Sequence, residues 1–271
     1  MGNEQSGAGY IGQGFPTEVI GGVKVAAMDR MATARLMAGA AIASKGTNTP
    51  PLICTSVNGQ VLAQVYSGKD HRTVASLIKQ SDVVSVDGQP LVFASKLLGR
   101  GSVPERCATT DLFHDLAHLA VANGLSFYML GASAEENHLA VANARRSYPS
   151  LRIAGSRHGY FKSVVDEQSV VNEINALKPD IVWVSLGFPR ELDFCLKWRD
   201  KLTGVGVMKT SGGLFNFLSG TRSRAPAWMQ AAGLEWAYRM YLEPRRLFLR
   251  YATTNVIAVW LLLTKTSRRA G

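Results

Sequence analysis

The chain has 271 residues, room for one ordinary α/β domain with an appendage, and its 46% hydrophobic content is enough for a sizeable core. Its formal net charge of +10 favours anionic partners, but residues 221–271 alone hold nine basic against two acidic side chains. With the rest of the chain close to neutral, that distribution argues against a nucleic-acid protein, whose basic face would spread over the body.

Residues 1–16 are rich in glycine and polar side chains and read as a disordered leader. They carry no basic segment followed by an apolar one, so no secretory signal is expected and the working face should be cytoplasmic. Beyond them apolar runs alternate with helical patterns. Strands are predicted at 19–25, 51–56, 82–86, 126–131, 151–154, 180–186 and 204–208. Helices are predicted at 29–43, 59–66, 70–80, 90–98, 109–123, 134–148, 166–178 and 190–201. The buried-type runs PLICTS, DVVSV, SFYML and DIVWVSL each precede a helix, which predicts a Rossmann-like, largely parallel sheet flanked by helices over 17–220. Ligands of such sheets lie beyond the carboxyl ends of the strands. There the chain places Ser56-Val57-Asn58-Gly59, Asp87-Gly88, Gly131 and Gly187-Phe188-Pro189, loops suited to close backbone approach by phosphate or sugar.

From about Gly213 the character changes. Residues 221–271 read as a basic helical appendage, with amphipathic stretches at 227–242 and 244–263. Val256–Leu263 is strongly apolar but bounded by Thr253, Thr254, Asn255 and Lys265, which is too short for a bilayer span of about 20 residues. Basic flanks and Trp260 favour a helix lying in a membrane interface over one docked onto the core. On that view, deleting 222–271 leaves a folded core.

Several superficial motifs fail on context. Gly7-Ala8-Gly9-Tyr10-Ile11-Gly12 follows no predicted strand, so it is not a dinucleotide fingerprint. His114-Asp115-Leu116-Ala117-His118 has Asp where a zinc hydrolase helix needs the longer Glu, and reads as a polar helix face. No Asp-x-Asp occurs, so no metal and no other cofactor is expected. Cys54, Cys107 and Cys195 are odd in number and widely spaced, which favours neither disulfides nor zinc.

A larger constellation remains. Ser56-Val57-Asn58, Val86-Asp87-Gly88-Gln89-Pro90, Glu105-Arg106, Tyr128–Gly131, Gly159-Tyr160-Phe161, Pro179-Asp180 and Ser185–Pro189 are followed by Gly212-Gly213-Leu214-Phe215, Arg224-Ala225-Pro226, Gly233–Trp236, Arg239, Glu243–Arg246 and Arg250-Tyr251. In this order they resemble the WecG/TagA/CpsF glycosyltransferases over about residues 19–252. The resemblance implies inverting, metal-independent transfer from a UDP-sugar to a sugar on polyprenyl diphosphate. It also implies a helical appendage that completes the site and touches an anionic membrane, placing the protein peripherally on the inner face of the bacterial cytoplasmic membrane. Asp87 is then the general base, and Ser56, Asn58 and Arg106 line the acceptor pocket. Gly131, Gly187, Pro189, Glu191, Gly212 and Gly213 face the donor, while Arg239, Arg246 and Arg250 meet the diphosphate or the lipid. A homo-oligomer is compatible with this reading.

Two stretches depart from the family pattern. Pro189-Arg190-Glu191-Leu192 stands where Pro-Lys-Gln-Glu is usual, and Gly212–Phe215 is followed by Asn216 where Asp is usual. Glucose, glucuronate and N-acetylmannosamine stay open as donated sugars, with the first two preferred. The competing readings are a non-catalytic, membrane-peripheral nucleotide- or sugar-binding module and a Rossmann oxidoreductase, which would retain a nicotinamide or flavin.

Overall fold

The computed structural model of the protein describes residues 14–67 and 70–267, except for the side chain of Arg246. The leader expected over 1–16 therefore falls almost wholly outside the described residues, as do Arg268 and Arg269.

The first element corrects the sequence reading. In place of one strand over 19–25 there is an antiparallel hairpin, β1 (Thr17–Ile20) with β2 (Val23–Ala26). Gly21 and Gly22 form its two-residue turn at φ +57° and +81°, the left-handed pair that a tight hairpin requires and that glycine adopts without strain. Helix α1 (Arg30–Ala43) starts at Asp29, whose carboxylate accepts the Ala32 N–H at 2.6 Å, an N-cap worth about 1 kcal/mol.

The expected parallel sheet follows. Strands β3 (Leu52–Val57), β4 (Val83–Val86), β5 (Ser126–Gly131), β6 (Arg152–Arg157), β7 (Ile181–Ser185) and β8 (Val207–Thr210) pair in parallel in the order β4-β3-β8-β7-β5-β6. The predicted strand at 204–208 lies later, at 207–210, because Gly204 is at φ +77° and belongs to the preceding turn. The intervening helices are α2 (Gly59–Tyr66), α3 (His71–Gln80), α4 (Gln89–Leu97), α5 (Thr109–Asn123), α6 (Ala134–Ser147), α7 (Val164–Leu177), α8 (Arg190–Trp198) and α9 (Leu214–Leu218).

Two apolar layers sandwich the sheet. One joins α1, α5, α6 and α9 through Met37, Phe113, Leu116, Ala140 and Phe215. The other joins α2, α3, α7 and α8 through Leu62, Ile78, Ile174 and Phe194, and it includes Leu261 and Leu262 of the appendage. At its base Asp180 accepts the Ser126 N–H and hydroxyl, each at 2.7 Å, which fastens β5 to β7 at the end remote from the ligand side.

The appendage is three helices, not two. The stretch 227–242 is broken into α10 (Ala227–Ala231) and α11 (Glu235–Leu242) by Gly233 at φ +74°. Helix α12 (Pro244–Lys265) then crosses back over the core to pack on α2, α4 and β1. The Gly22 N–H donates to the Lys265 carbonyl at 2.7 Å and the Ser267 N–H to the Val19 carbonyl at 2.9 Å. Leu247–Lys265 is long and apolar enough to cross a membrane by length and composition alone, which corrects the estimate of its length made from the sequence. Its inner face is nevertheless buried protein: Leu247, Tyr251, Ala258, Leu261 and Leu262. Each such leucine contributes about 1.5–3 kcal/mol by leaving water. Deleting 222–271 would remove Leu261 and Leu262 from the apolar layer that also holds Leu62 and Ile20.

Candidate active site

The carboxyl ends of β4, β3, β8 and β7 converge below α10 and α11 on a cavity of about 260 Å³. It lies where the chain order reverses, with β4 reached on one side of β3 and all later strands on the other. This is the crevice where open α/β sheets bind ligands.

Parallel register builds the floor. Ser56 is paired with Ser85 and Val57 with Val86, so the loops after β3 and β4 leave the sheet side by side. Asn58 caps α2, accepting the Val61 N–H at 3.1 Å. Asp87 follows β4, and its Oδ2 accepts the Thr109 N–H at 3.1 Å and the Thr109 hydroxyl at 3.0 Å. Among the described residues no hydrogen bond reaches Oδ1. One oxygen is thus held by α5, and the other is left to a ligand in a cavity that Asp87 itself lines.

Arg106 also lines the cavity, but its guanidinium is engaged. It is ion-paired to Glu235 and donates to Gln230 Oε1 at 2.9 Å, with only 10% of its side chain exposed. Arg224 donates to the same Gln230 oxygen at 2.8 Å and to Asp111 Oδ2 at 3.2 Å. Gln230 in turn donates to the Ala225 carbonyl at 2.7 Å. This clasp joins the core to the appendage and gives the Arg-Ala-Pro and Gly-Leu-Glu-Trp runs a physical meaning. Burial would raise the Asp111 carboxyl; the Arg224 hydrogen bond and the Arg224, Arg30 and Arg106 charges outweigh it and hold Asp111 below its ordinary value. Gly233 permits the approach, since a Cβ there would stand 3.3 Å from Pro90.

The donor-side predictions divide. Glu191, Gly212, Gly213 and Arg239 line the cavity. Glu191 is buried, and its carboxylate accepts the Gly212 N–H at 2.9 Å and the Gly187 N–H at 3.2 Å. These two glycine N–H groups therefore hold the chain's own carboxylate. Burial pushes the Glu191 carboxyl up to about 7, against the opposing pull of those N–H groups and of Lys209. Asn216 donates to Glu136, where an aspartate would set two carboxylates against each other.

Gly131, Gly187, Pro189 and Arg250 are not among the lining residues. Gly131 ends β5, one strand beyond β7, and is packed so closely that a Cβ would stand 2.2 Å from the Ser185 carbonyl oxygen. Arg250 lies over the Tyr251 ring, 5.1 Å from its centre, and the side chain of Arg246 lies outside the described residues. Arg239 is exposed at the rim, 5.5 Å from the Phe217 ring centre, and has no ion pair among the described residues. The histidine motif is accounted for elsewhere: His114 Nδ1 is 2.7 Å from the Tyr148 hydroxyl, His118 meets the same ring edge-on, and Asp115 pairs with Arg30.

Residues 18–271 match the model of the glycosyl transferase WecG/TagA/CpsF family. The chain belongs to this family. Similar proteins include the N-acetylglucosaminyldiphosphoundecaprenol N-acetyl-beta-D-mannosaminyltransferase of Bacillus subtilis (strain 168), 30% identical over 197 residues covering 72% of this chain and 73% of that protein. The enzyme of the same name from Bacillus spizizenii is 33% identical over 63% of this chain and 65% of its own. That of Staphylococcus aureus (strain MRSA252) is 26% identical over 76% and 77%. As a WecG/TagA/CpsF member the protein is a glycosyltransferase.

The sequence reading passed over Thr109 and Gln230 and gave Glu235, though part of its Gly233–Trp236 run, no role, since the contacts of these residues to Asp87 and Arg106 span 22 to 129 residues. It also passed over Lys209, which did carry a signal: one charge inside the apolar strand VGVMKT.

Proposed function

We propose that this glycosyltransferase moves a hexose-type sugar from a UDP-sugar to a sugar carried on polyprenyl diphosphate, with inversion and without a metal. The setting is the cytoplasmic face of the bacterial membrane, during exopolysaccharide or other cell-surface glycan synthesis. The observation that carries the reading is Asp87, which lines the cavity with Oδ2 held by Thr109 and, among the described residues, no hydrogen bond on Oδ1.

The chemistry is a single displacement. Asp87 Oδ1 takes the proton of the acceptor hydroxyl while that oxygen bonds to the anomeric carbon. The bond from that carbon to the diphosphate breaks, and its electron pair leaves with UDP. A positioned base contributes roughly 10²–10⁴-fold. Arg239 at the rim supplies positive charge toward the leaving diphosphate, where a guanidinium can pair bidentately. The relatives' names specify a polyprenyl-type lipid diphosphate acceptor and an N-acetylmannosaminyl group, so N-acetylmannosamine stands beside glucose and glucuronate as a donor to be tried.

The test is acceptor-dependent UDP release with these three UDP-sugars and EDTA present. The wild type is expected to turn over one donor, only with lipid-linked acceptor. D87N should lose about 10²–10⁴-fold in kcat while binding UDP as before. Unchanged turnover in D87N removes Asp87 as base, and activity that needs added magnesium or manganese removes the metal-free part.

A further inference from the structure

Lys209 lies fully buried beneath the active-site floor, with 0% of the residue exposed. Its Nζ donates to the Ser56 hydroxyl at 2.8 Å and to the Thr210 carbonyl at 2.7 Å. Among the described residues no carboxylate lies within 4.0 Å of it. An ammonium so placed costs several kcal/mol of desolvation, whereas a methionine would fill the same apolar position in β8 without that cost. What the charge accomplishes is visible in the hydroxyls above it.

Because Ser56 Oγ accepts from Lys209, its own proton is directed onward, to Ser85 Oγ at 2.9 Å or Thr109 Oγ1 at 3.4 Å. Ser85 donates to the Thr55 carbonyl at 3.1 Å, and Thr109 donates to Asp87 Oδ2 at 3.0 Å. The Ser85 branch thus ends on the Thr55 carbonyl, while the longer Thr109 contact leads on to Asp87 Oδ2.

We propose that Lys209 is a positioning residue: as an ammonium acting through Ser56 and Thr109, it keeps Asp87 turned with Oδ1 toward the acceptor hydroxyl. This rests on Asp87 being the base of the proposed transfer. The ammonium is sealed from the cavity, so it touches neither substrate. The other titratable groups facing it are Cys54 on β3, Cys107 before α5, and Glu191 and Cys195 on α8, while Asp87 also feels Arg224 from the appendage. Burial pushes the thiols up, Cys54 to about 12, Cys107 to about 11 and Cys195 well above its ordinary value, and it pushes Lys209 down against the opposing pull of Cys107, Cys54, Asp87 and Glu191.

The experiment uses the full chain with K209M, close to lysine in volume, and S56A. It records acceptor-dependent UDP release, with melting and UDP affinity measured alongside. The expected result for K209M is kcat lower by about 10- to 100-fold, with acceptor KM and UDP affinity little changed. The K209M/S56A double variant should be no slower than the slower single one. A folded K209M with wild-type kcat, a loss that falls on KM instead of kcat, or losses that multiply in the double variant overturns the proposal. If K209M does not fold, S56A alone decides: a lower kcat at unchanged KM supports the chain and an unchanged kcat overturns it. Wild-type protein without turnover would instead overturn the transfer reading together with this role.

Discussion

Asp87 and Glu191 are two carboxylates in one cavity with opposite surroundings. Asp87 meets hydroxyl and N–H donors at the mouth of α5, while Glu191 is sealed among apolar neighbours and two loop N–H groups. The Glu191 carboxyl, pushed up to about 7 from an ordinary value of 4.5, holds its proton in the folded protein where the unfolded chain has released it. Between those two values the native state binds more protons, so stability falls as pH rises from about 4.5 to about 7. E191Q removes this dependence while keeping an acceptor for Gly212. Urea midpoints measured across pH 5–7.5 should therefore fall less in E191Q than in the wild type, and parallel curves would show that Glu191 titrates normally. Asp87 was legible in the sequence because a strand end, Asp and Gly occur together; the fate of Glu191 was not, since its burial is decided by α8 packing over β8.

At the scale of elements, the appendage is held in two unlike ways. Helices α10 and α11 are tied over the cavity by polar contacts, from Arg106 to Glu235 and Gln230 and from Arg224 to Asp111. Helix α12 is held by apolar burial of Leu261 and Leu262 on α2. R106A should free the polar clasp: proteolysis near 221–226 is expected to quicken while far-ultraviolet ellipticity stays unchanged. Equal cleavage rates would place the hold elsewhere. L261A, by contrast, opens a cavity in the core and should cost about 2–5 kcal/mol in denaturant unfolding; a loss under 1 kcal/mol would mean α12 is only loosely docked. The strands and helices of the core were legible element by element, because each carries its own period and its own caps. The hairpin was hidden by a Gly-Gly turn within an apolar run, and the break at Gly233 by an otherwise continuous amphipathic pattern.

For the whole molecule, α12 has two apolar faces. The inner one is buried, and the outer one leaves Phe248, Leu249, Val256, Val259, Trp260 and Leu263 exposed. A contiguous apolar strip beside basic side chains fits a membrane surface, which accords with the proposed lipid-linked acceptor. F248S/W260S is expected to lower co-sedimentation with anionic vesicles several-fold and leave the melting temperature unchanged, since both side chains are exposed. Unaltered sedimentation would remove this face as the contact. Raising salt should weaken the basic contribution and spare the apolar one.

The amino-acid sequence alone determined the parallel α/β core, the order of its elements and the loops that carry Ser56, Asn58 and Asp87, because periodicity and turn chemistry are local. Its motifs also identified the family that the comparisons show. Only the tertiary structure decided that α12 docks on the core while keeping a second apolar face outside. It also decided that Arg106 clasps the appendage, that Glu191 occupies the glycine N–H groups, and that Lys209 lies beneath Ser56. These depend on contacts between residues up to 248 positions apart, which chain closure creates and no window of sequence contains.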